Sequence, residues 1–375
     1  MEKRIGLKKA KRIVVKVGTS TITYDTGKLN LRRLEELVRE LADLVNQGRE
    51  MILVTSGAVA AGMDRMGLKK RPGTMPEKQA LAAIGQGMLM HIYETLFAGY
   101  GQTAAQVLLT KENSVRHNQY TNSRNALLAL LKMGAVPVIN ENDAIAVDEL
   151  KIGDNDTLSA TVATLVDADA LILLSDVEGL YTANPQTDPE AKLLPQIDEI
   201  TPAIEKMAGG AGSQLGTGGM YTKLQAAKIA VNAGVTMLIA SGARNGVLRD
   251  VLEGQPVGTL FAAKEEHLKA RKGWLAFGRR IDGDLVVDAG CAEAMLHGGS
   301  SLLAAGIVAV EGDFVAGNTV RVLDPEQREI ARGIVNYATA AVRSIMGHQT
   351  NEIAAILPGQ LHSEVIHRDN MVLMV

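Results

Sequence analysis

The sequence predicts an α/β protein, a three-layer αβα sandwich with a mostly parallel central sheet, followed by a small β-rich module. Short β-branched runs alternate with longer helical patterns through the first two hundred residues, as in repeated βαβ units. The run Ala170–Leu174 is apolar without alternation, which is typical of a strand buried on both faces of a parallel sheet. After residue 280, short β-rich runs replace the helical patterns.

The first part of the chain is predicted to begin as strand, helix, strand. Arg12–Val17 is a strand because β-branched residues dominate it, and Leu31–Gln47 is an amphipathic helix that ends at Gly48. The same periodicities place the later elements. The other predicted strands are Glu50–Thr55, Ala104–Leu109, Val136–Ile139, Ala170–Leu174 and Val235–Ala240, and the other predicted helices are Glu77–Phe97, Asn122–Met133, Asn155–Val166 and Met220–Asn232.

Two stretches interrupt this alternation. Between Tyr181 and Gly219, prolines and a glycine cluster predict a long loop, and loops of that length are usually functional or mobile. The charged segment Lys264–Arg280, which carries the only tryptophan, is predicted to connect two domains. The predicted organisation is a first domain over residues 1–263, a linker over residues 264–280 and a second domain over residues 281–375.

The predicted second domain is acidic. Residues 281–375 carry 12 Asp and Glu but 5 Arg and no Lys, a net charge of -7, although the whole chain has a net charge of only -3. Because binding to a phosphate backbone depends on Lys and Arg, this balance disfavours nucleic acid as a partner. The domain is expected to contain little helix. Its predicted strands are Leu285–Asp288, Gly306–Val310, Asn318–Leu323 and Glu329–Tyr337.

Composition is that of an ordinary globular protein, with 46% hydrophobic and 22% charged residues. No apolar run approaches the ~18 residues that a membrane span needs, so we expect a cytoplasmic protein without a membrane partner. Cys291 is the sole cysteine, which excludes an intrachain disulfide and a multi-cysteine zinc site. The seven histidines are scattered, so no dedicated metal site is predicted.

Two lysines beside glycine-containing turns indicate phosphate chemistry. Lys16 lies two residues before Gly18, and Lys223 follows the glycine-rich run 216–219. Turns with little side-chain bulk bring backbone N–H groups close to an anion, and phosphoryl transfer depends on positioning and charge neutralisation. Lys16 interrupts a strand that is otherwise apolar, and the alternative is an edge strand from which it faces solvent.

Polar residues follow several predicted strands, at the edge where parallel sheets bind ligands. These groups are Gly18–Ser20, Ser56–Ala58, Asn140–Asp143, Ser175–Asp176 and the helix start Gly153–Thr157. Each has a structural alternative: the glycines and the Asn140 group suit turns, and Asp154, Asn155 and Asp156 suit helix N-caps. Neither the P-loop pattern nor a Rossmann fingerprint is present.

Six motifs together resemble the amino-acid kinase family, and they occur in order between about residues 11 and 261. Six motifs in sequence are more specific than any one of them. Residues near 283–360 resemble a PUA domain, which fits the expected β-rich module. The six motifs are Lys16–Ser20, Val54–Ala58, Pro137–Asp143, Lys151–Asp156, Asp176–Pro185 and Gly216–Ala227.

The motifs are most similar to those members that transfer the γ-phosphoryl group of ATP to the γ-carboxylate of L-glutamate, the first step of proline synthesis. This resemblance implies ATP and Mg²⁺ as cofactors, a homo-oligomer (dimer or tetramer) and proline as a feedback inhibitor. The segment Lys111–His117 carries fewer carboxylates than the family pattern, which counts against proline feedback. The alternatives are a sister kinase acting on aspartate, N-acetylglutamate, carbamate or UMP, and an RNA-binding protein acting through the PUA domain.

The resemblance also implies roles for individual residues. Lys16 and Lys223 would be the catalytic cations, and Asp156 would hold them in place. The residues implied in substrate binding are Ser56, Gly57, Asn140, Asp143 and Asn155. Those implied in nucleotide binding are Lys16, Gly18, Ser175, Asp176, Thr217, Gly218, Gly219, Met220, Tyr221, Thr222 and Lys223. The segment before Gly216 would form a lid over ATP.

Overall fold

The computed structural model describes residues 2–70, 72–110, 117–145, 155–185, 187–208, 219–263, 281–357 and 363–374. The chain divides into two compact units, Met1–Lys264 and Glu265–Val375. The helices of the first unit are α1 (Glu2–Gly6), α2 (Thr19–Ile22), α3 (Leu31–Asn46), α4 (Ala58–Arg65), α5 (Met75–Gly99), α6 (His117–Lys132), α7 (Asn155–Leu165), α8 (Pro202–Met207), α9 (Met220–Asn232) and α10 (Val247–Leu252), with a 3-10 turn at Leu7–Lys9.

The described part of the first unit contains an eight-stranded sheet in the order β3-β4-β2-β1-β5-β7-β8-β6. All neighbouring strands are parallel except β7 and β8, which are antiparallel. The sheet is therefore mostly parallel, as predicted. The strands are β1 (Arg12–Val17), β2 (Glu50–Val54), β3 (Thr103–Leu109), β4 (Ala135–Glu141), β5 (Ala170–Ser175), β6 (Gln196–Ile197), β7 (Thr236–Ser241) and β8 (Thr259–Phe261).

Helices cover both faces of this sheet, which gives the predicted three layers. On one face, buried strand residues pack with apolar residues of α3, α5 and α10. On the other face, they pack with apolar residues of α6, α7 and α9. Both faces are buried because the crossover helices of parallel strands lie on them, and this explains why Ala170–Leu174 is continuously apolar.

Helices α4 and α5 pack backbone against backbone. A Cβ atom added at Gly85 would lie 1.8 Å from the carbonyl oxygen of Ala58, and one added at Gly62 would lie 2.0 Å from that of Leu81. Only glycine fits at such distances. This contact fixes the position of α5 relative to the residues that follow β2.

The segment between Tyr181 and Gly219 is more ordered than predicted, because its described residues include β6 and α8. Thr259 ties the base of the segment to β8, since its Oγ1 accepts a hydrogen bond from the Leu180 N–H and donates one to the Leu194 carbonyl. The buried Arg4 guanidinium donates to the carbonyls of Pro195, Gln255, Val257 and Gly258. The prediction of one long loop is therefore wrong for these residues.

The second unit is β-rich, as predicted, with a five-stranded sheet in the order β10-β9-β11-β12-β13 among its described residues. Its strands are β9 (Ile281–Val287), β10 (Ile307–Gly312), β11 (Thr319–Leu323), β12 (Glu329–Ile334) and β13 (Met371–Leu373). Its helices are α11 (Ala289–Gly298), α12 (Thr339–Ile345) and α13 (Thr350–Ile356), with 3-10 turns at Ala304–Gly306 and Arg368–Asn370.

The expectation of little helix in the second unit is wrong. Helix α11 has a clear start, because Asp288 Oδ1 accepts a hydrogen bond from the Cys291 N–H at 2.7 Å. It ends at Gly298 and is followed by Gly299, whose φ of 59° suits a residue without a side chain. These helices span only two or three turns, and so short a pattern gives a weak periodic signal. No helix in the described ranges is long and apolar enough to span a membrane.

Candidate active site

Lys16 lies on β1 in the middle of the sheet, between β2 and β5. Only 6% of its surface is exposed, so the solvent-facing edge strand considered from the sequence is wrong. Side chains alternate along a strand, and Val14 packs on the face covered by α7 and α9. Two residues later, Lys16 points to the same face.

Asp156 joins the two lysines that the sequence singled out. It lies in the first turn of α7 and is fully buried. Its Oδ1 is 2.5 Å from Lys16 Nζ, and its Oδ2 is 3.2 Å from Lys223 Nζ on α9. Thr222 Oγ1 donates to the same Oδ2 at 3.0 Å. One carboxylate therefore bridges two ammonium groups from distant parts of the chain.

Two opposing effects act on the pKa of Asp156. Burial alone would raise the pKa, because it penalises the charged carboxylate. The charges of Lys16 and Lys223 and their hydrogen bonds more than offset this penalty, so the pKa lies below its ordinary value. Asp156 is therefore ionised at neutral pH.

Asn155, next to Asp156, is the centre of a second polar cluster. Its Nδ2 donates to the Thr55 carbonyl at 2.7 Å, to Ser56 Oγ at 2.8 Å and to Asn140 Oδ1 at 3.0 Å. The amide has two hydrogens for three acceptors, so these bonds are shared, and the hydroxyl hydrogen of Ser56 stays available for a ligand. Asn155 Oδ1 is buried and has no hydrogen-bond partner within the described residues.

The second cluster is supported from α5. Asn140, at the end of β4, donates through Nδ2 to Gln86 Oε1 at 2.8 Å. Seven residues further along α5, the hydroxyl of the fully buried Tyr93 lies 2.8 Å from Thr55 Oγ1. Burial raises the pKa of Tyr93, so its hydroxyl stays protonated.

Two glycines shape the turns beside these clusters. Gly57 precedes α4 with a φ of 97°, a conformation that side chains rarely adopt and that favours glycine. Gly18 has an ordinary φ of -83°, and a Cβ atom there would lie 3.7 Å from Lys16 Nζ. The Gly18 backbone thus lies beside the Lys16 ammonium group.

Asp143 lies in the turn after β4 and is half-buried. Burial raises its pKa above the ordinary aspartate value. Its carboxylate is therefore costly to keep ionised in the protein alone, and a cationic ligand would relieve that cost.

Two groups of predicted nucleotide residues lie at the end of β5 and at the start of α9. Ser175 ends β5, and its Oγ donates to Oδ1 of the exposed Asp176 at 2.9 Å. Gly219 immediately precedes α9, whose first residues are the half-buried Met220 and the exposed Tyr221. Thr217, Gly218 and Asp154 lie outside the described residues.

The two clusters meet at the first turn of α7, where Asn155 belongs to one and Asp156 to the other. Neither side chain is a simple helix cap, because each contacts residues of other elements. One cluster offers two ammonium groups, which can neutralise phosphate charge. The other offers a buried carbonyl oxygen and a hydroxyl, which can hold polar groups of a small substrate.

Gln86, Thr55 and Tyr93 were not predicted as parts of the site. Gln86 and Tyr93 lie within the 25-residue helix α5, where neither has a neighbouring motif to mark it. Their spacing of seven residues was the available signal, since it places both on one face of a helix.

Comparisons with known proteins agree with the family resemblance. Residues 11–241 match the amino acid kinase family, and residues 283–357 match the PUA domain. The glutamate 5-kinase of Moorella thermoacetica is 54% identical over 373 residues, which cover 100% of this chain and 99% of that relative. The glutamate 5-kinase of Thermoanaerobacter sp. (strain X514) is 51% identical over 363 residues, covering 97% and 98%. That of Deinococcus radiodurans is 48% identical over 363 residues, covering 97% and 100%. The chain therefore belongs to the amino acid kinase family and, within it, to the glutamate 5-kinases.

Proposed function

We propose that this chain transfers the γ-phosphoryl group of ATP to the γ-carboxylate of L-glutamate, giving L-glutamate 5-phosphate and ADP, the first step of proline synthesis. The observation that supports it most is the bridge from Asp156 to both Lys16 and Lys223. The full-length similarity to glutamate 5-kinases supports the choice of glutamate over another carboxylate or UMP.

The proposed mechanism needs charge neutralisation but no general base. A γ-carboxylate is already ionised at neutral pH, so it can attack the γ-phosphorus directly. Two anions must approach each other, and negative charge spreads over the oxygens of the transferring group. Lys16 and Lys223 supply compact positive charges for those oxygens, and Asp156 holds both ammonium groups in place.

The amide cluster is proposed to bind the amino-acid end of glutamate. Asn155 Oδ1 is a buried acceptor without a partner among the described residues, and an α-ammonium group is a donor that would satisfy it. Asp143 adds a carboxylate for the same ammonium. The Ser56 hydroxyl and the adjacent Gly57 N–H suit a substrate carboxylate.

ATP is proposed to lie near the ends of β5 and β7 and the start of α9, and the residues assigned to it are those implied by the family motifs. The segment before Gly216 is proposed to cover it. Mg²⁺ is proposed to arrive bound to the nucleotide phosphates, because this ion keeps several waters and needs few protein carboxylates. Bound there, it would neutralise part of the phosphate charge.

The reaction is tested by mixing the purified protein with ATP, Mg²⁺ and candidate acceptors and trapping the acyl phosphate with hydroxylamine. We expect hydroxamate with L-glutamate. Hydroxamate with aspartate and none with glutamate would contradict the proposed substrate. Omission of Mg²⁺ is expected to abolish the signal, and a full signal without any divalent ion would contradict the proposed role of magnesium.

Asp143→Asn is expected to raise the glutamate KM by about tenfold or more, because a charge-assisted bond to the α-ammonium is lost. In the wild type, glutamate KM should rise as pH falls through the raised pKa of Asp143, and the variant should lack this dependence. The variant should also be more stable without ligand at neutral pH. A carboxyl whose pKa is raised by folding loses its stabilising contribution as pH rises.

Kinetics at several pH values and thermal denaturation without substrates check both expectations. Asp176→Asn is a suitable control, because this exposed carboxylate is assigned to the nucleotide rather than to glutamate. An unchanged glutamate KM in Asp143→Asn would contradict the assignment.

Residues 1–263 are proposed as the catalytic domain, 264–280 as the linker and 281–375 as the PUA-like domain. The linker and residues 111–116 of the segment tied to proline feedback lie outside the described residues. Inhibition by proline, a dimer or tetramer and a cytoplasmic location stay predictions. Nucleic acid is a poor candidate partner, because three of the five arginines in residues 281–375 pair with carboxylates of the same unit. These pairs are Arg321–Asp284, Arg328–Asp324 and Arg332–Glu329.

A further inference from the structure

Three side-chain amides form a chain of hydrogen bonds from the first turn of α7 to α5. Asn155 Nδ2 donates to Asn140 Oδ1 at 3.0 Å, and Asn140 Nδ2 donates to Gln86 Oε1 at 2.8 Å. Asn155 and Asn140 are buried, and Gln86 is half-buried. These hydrogen bonds therefore connect the proposed glutamate site to α5, a helix that contributes no predicted site residue.

Two backbone groups fix the orientation of this amide chain. The Thr55 carbonyl can only accept a hydrogen bond, so Asn155 must present Nδ2 to it, at 2.7 Å. The Glu141 N–H can only donate, so Asn140 must present Oδ1 to it, at 2.9 Å. Both constraints agree with the bond between the two asparagines. Asn140 therefore faces Gln86 with Nδ2, which is a donor, so the Gln86 atom that accepts this hydrogen bond must be Oε1.

The orientation leaves an acceptor at the substrate end. Asn155 Oδ1 is buried and has no partner within the described residues, which is unfavourable in the protein without ligand. Rotation of the amide by 180° would bring Oδ1 against the acceptor oxygens of Thr55 and Asn140 and would remove the two hydrogen bonds that Nδ2 donates to them. Asn155 Oδ1 therefore stays without a partner because Thr55 and Asn140 hold the amide in this orientation.

Helix α5 is well placed to hold the far end of the chain. Gly85 precedes Gln86 and packs directly against the backbone of Ala58, which leaves the helix little freedom to shift. Tyr93 lies two turns further along the same face and meets Thr55 Oγ1 at 2.8 Å. Helix α5 thus contacts both Thr55, which follows β2, and Asn140, near the end of β4.

We propose that Gln86 is a positioning residue for the amino-acid substrate: its Oε1 holds the Asn140 amide so that Asn155 Oδ1 remains available to the α-ammonium group. Gln86 acts through Asn140 and does not touch the substrate. The inference rests on the proposed function, because it takes glutamate as the ligand of this site.

The test compares two substitutions of Gln86 that differ in the acceptor atom. Gln86→Met removes Oε1 at similar length and is expected to raise glutamate KM by about tenfold, the effect of one lost buried hydrogen bond. The kcat and the ATP KM should change little, and the melting temperature should fall by no more than a few degrees, because one buried donor of Asn140 loses its partner. Gln86→Glu keeps an acceptor for Asn140 Nδ2 and is expected to return glutamate KM to within about threefold of wild type.

Gln106 provides the matched control, because it is an exposed glutamine on β3. Gln106→Met and Gln106→Glu should leave kcat, both KM values and the melting temperature unchanged. They separate the loss of the hydrogen bond at Gln86 from the general effect of changing a glutamine or adding a charge.

A double variant tests whether Gln86 acts through Asn140. Added to Asn140→Ala, Gln86→Met should raise glutamate KM by less than about twofold further, because coupled residues are not additive.

Besides an unchanged glutamate KM in Gln86→Met, three results would overturn the inference. Gln86→Glu could bind glutamate as weakly as Gln86→Met, the two substitutions at 86 and 140 could be fully additive, or Gln86→Met could lower kcat and stability while it raises both KM values. Failure of the proposed function is distinguishable, because it would show as absence of hydroxamate from glutamate with the wild-type protein. Failure of this inference would show as equal glutamate KM in active wild-type and Gln86→Met proteins.

Discussion

Lys223→Ala is expected to lower kcat by about 10²–10³-fold, the usual cost of removing one group that stabilises charge in the transition state. Its Nζ is buried and lies 3.2 Å from Asp156, which directs it to the same place as Lys16. Because the proposed role is to neutralise the transferring phosphoryl group, glutamate KM should change by less than about threefold. Steady-state kinetics with each substrate varied in turn check this expectation.

Lys228→Ala is the matched control, since it removes a lysine from the same helix α9. Lys228 also pairs with a carboxylate, Glu205 at 2.7 Å, but its side chain is 31% exposed. Exposed ion pairs contribute little, so kcat should stay within about twofold of wild type. Equal losses in the two variants would contradict a specific role for Lys223.

Asp156→Asn is expected to lower both activity and stability. The substitution keeps the size of the side chain but leaves the Lys16 and Lys223 ammonium groups buried beside a neutral amide. Breaking a buried ion pair in this way costs about 3–5 kcal/mol of unfolding free energy. Because the two lysines also lose the group that holds them, kcat should fall by about 10²-fold or more.

The stability difference between wild type and Asp156→Asn should depend on pH in a defined direction. The pKa of Asp156 is lowered by folding, so its stabilising effect is complete above the ordinary aspartate pKa and disappears as pH falls through the lowered value. The two proteins should therefore converge in strong acid. Chemical denaturation followed by circular dichroism at several pH values measures this difference.

Glu205→Gln is the control for Asp156→Asn, because it neutralises the carboxylate of an exposed ion pair. Its unfolding free energy should change by less than about 1 kcal/mol at any pH. If Glu205→Gln lost as much unfolding free energy as Asp156→Asn, the burial of the Asp156 ion pairs would not explain the stability loss in Asp156→Asn.

Several features of the fold were predictable from the sequence because strand and helix patterns are local. The βαβ alternation and the continuously apolar β5 identified a mostly parallel sheet. The shorter elements were not predictable in this way. Helix α4 follows a glycine turn and contains eight residues, and strand β6 contains two, so neither carries enough periodicity to be recognised.

The candidate site was predictable where residue type alone was unusual. A lysine inside an apolar strand and acidic residues at a helix start drew attention to Lys16 and Asp156, and the structure places them in contact. Gln86 could not be found in this way. Its importance depends on which atom of Asn140 faces it. That atom is set by the Glu141 N–H of β4 and the carbonyl of Thr55, which follows β2, and both lie far from Gln86 in the sequence.

The bridge at Asp156 also has a consequence for the order in which the protein is made. The ribosome synthesises β1, the strand that carries Lys16, and the start of α7 before it reaches α9. A nascent chain can therefore form the bond between Lys16 and Asp156 while its third member is still missing. Catalytic competence then awaits the emergence and docking of α9, so enzyme activity reports that translation has passed this helix.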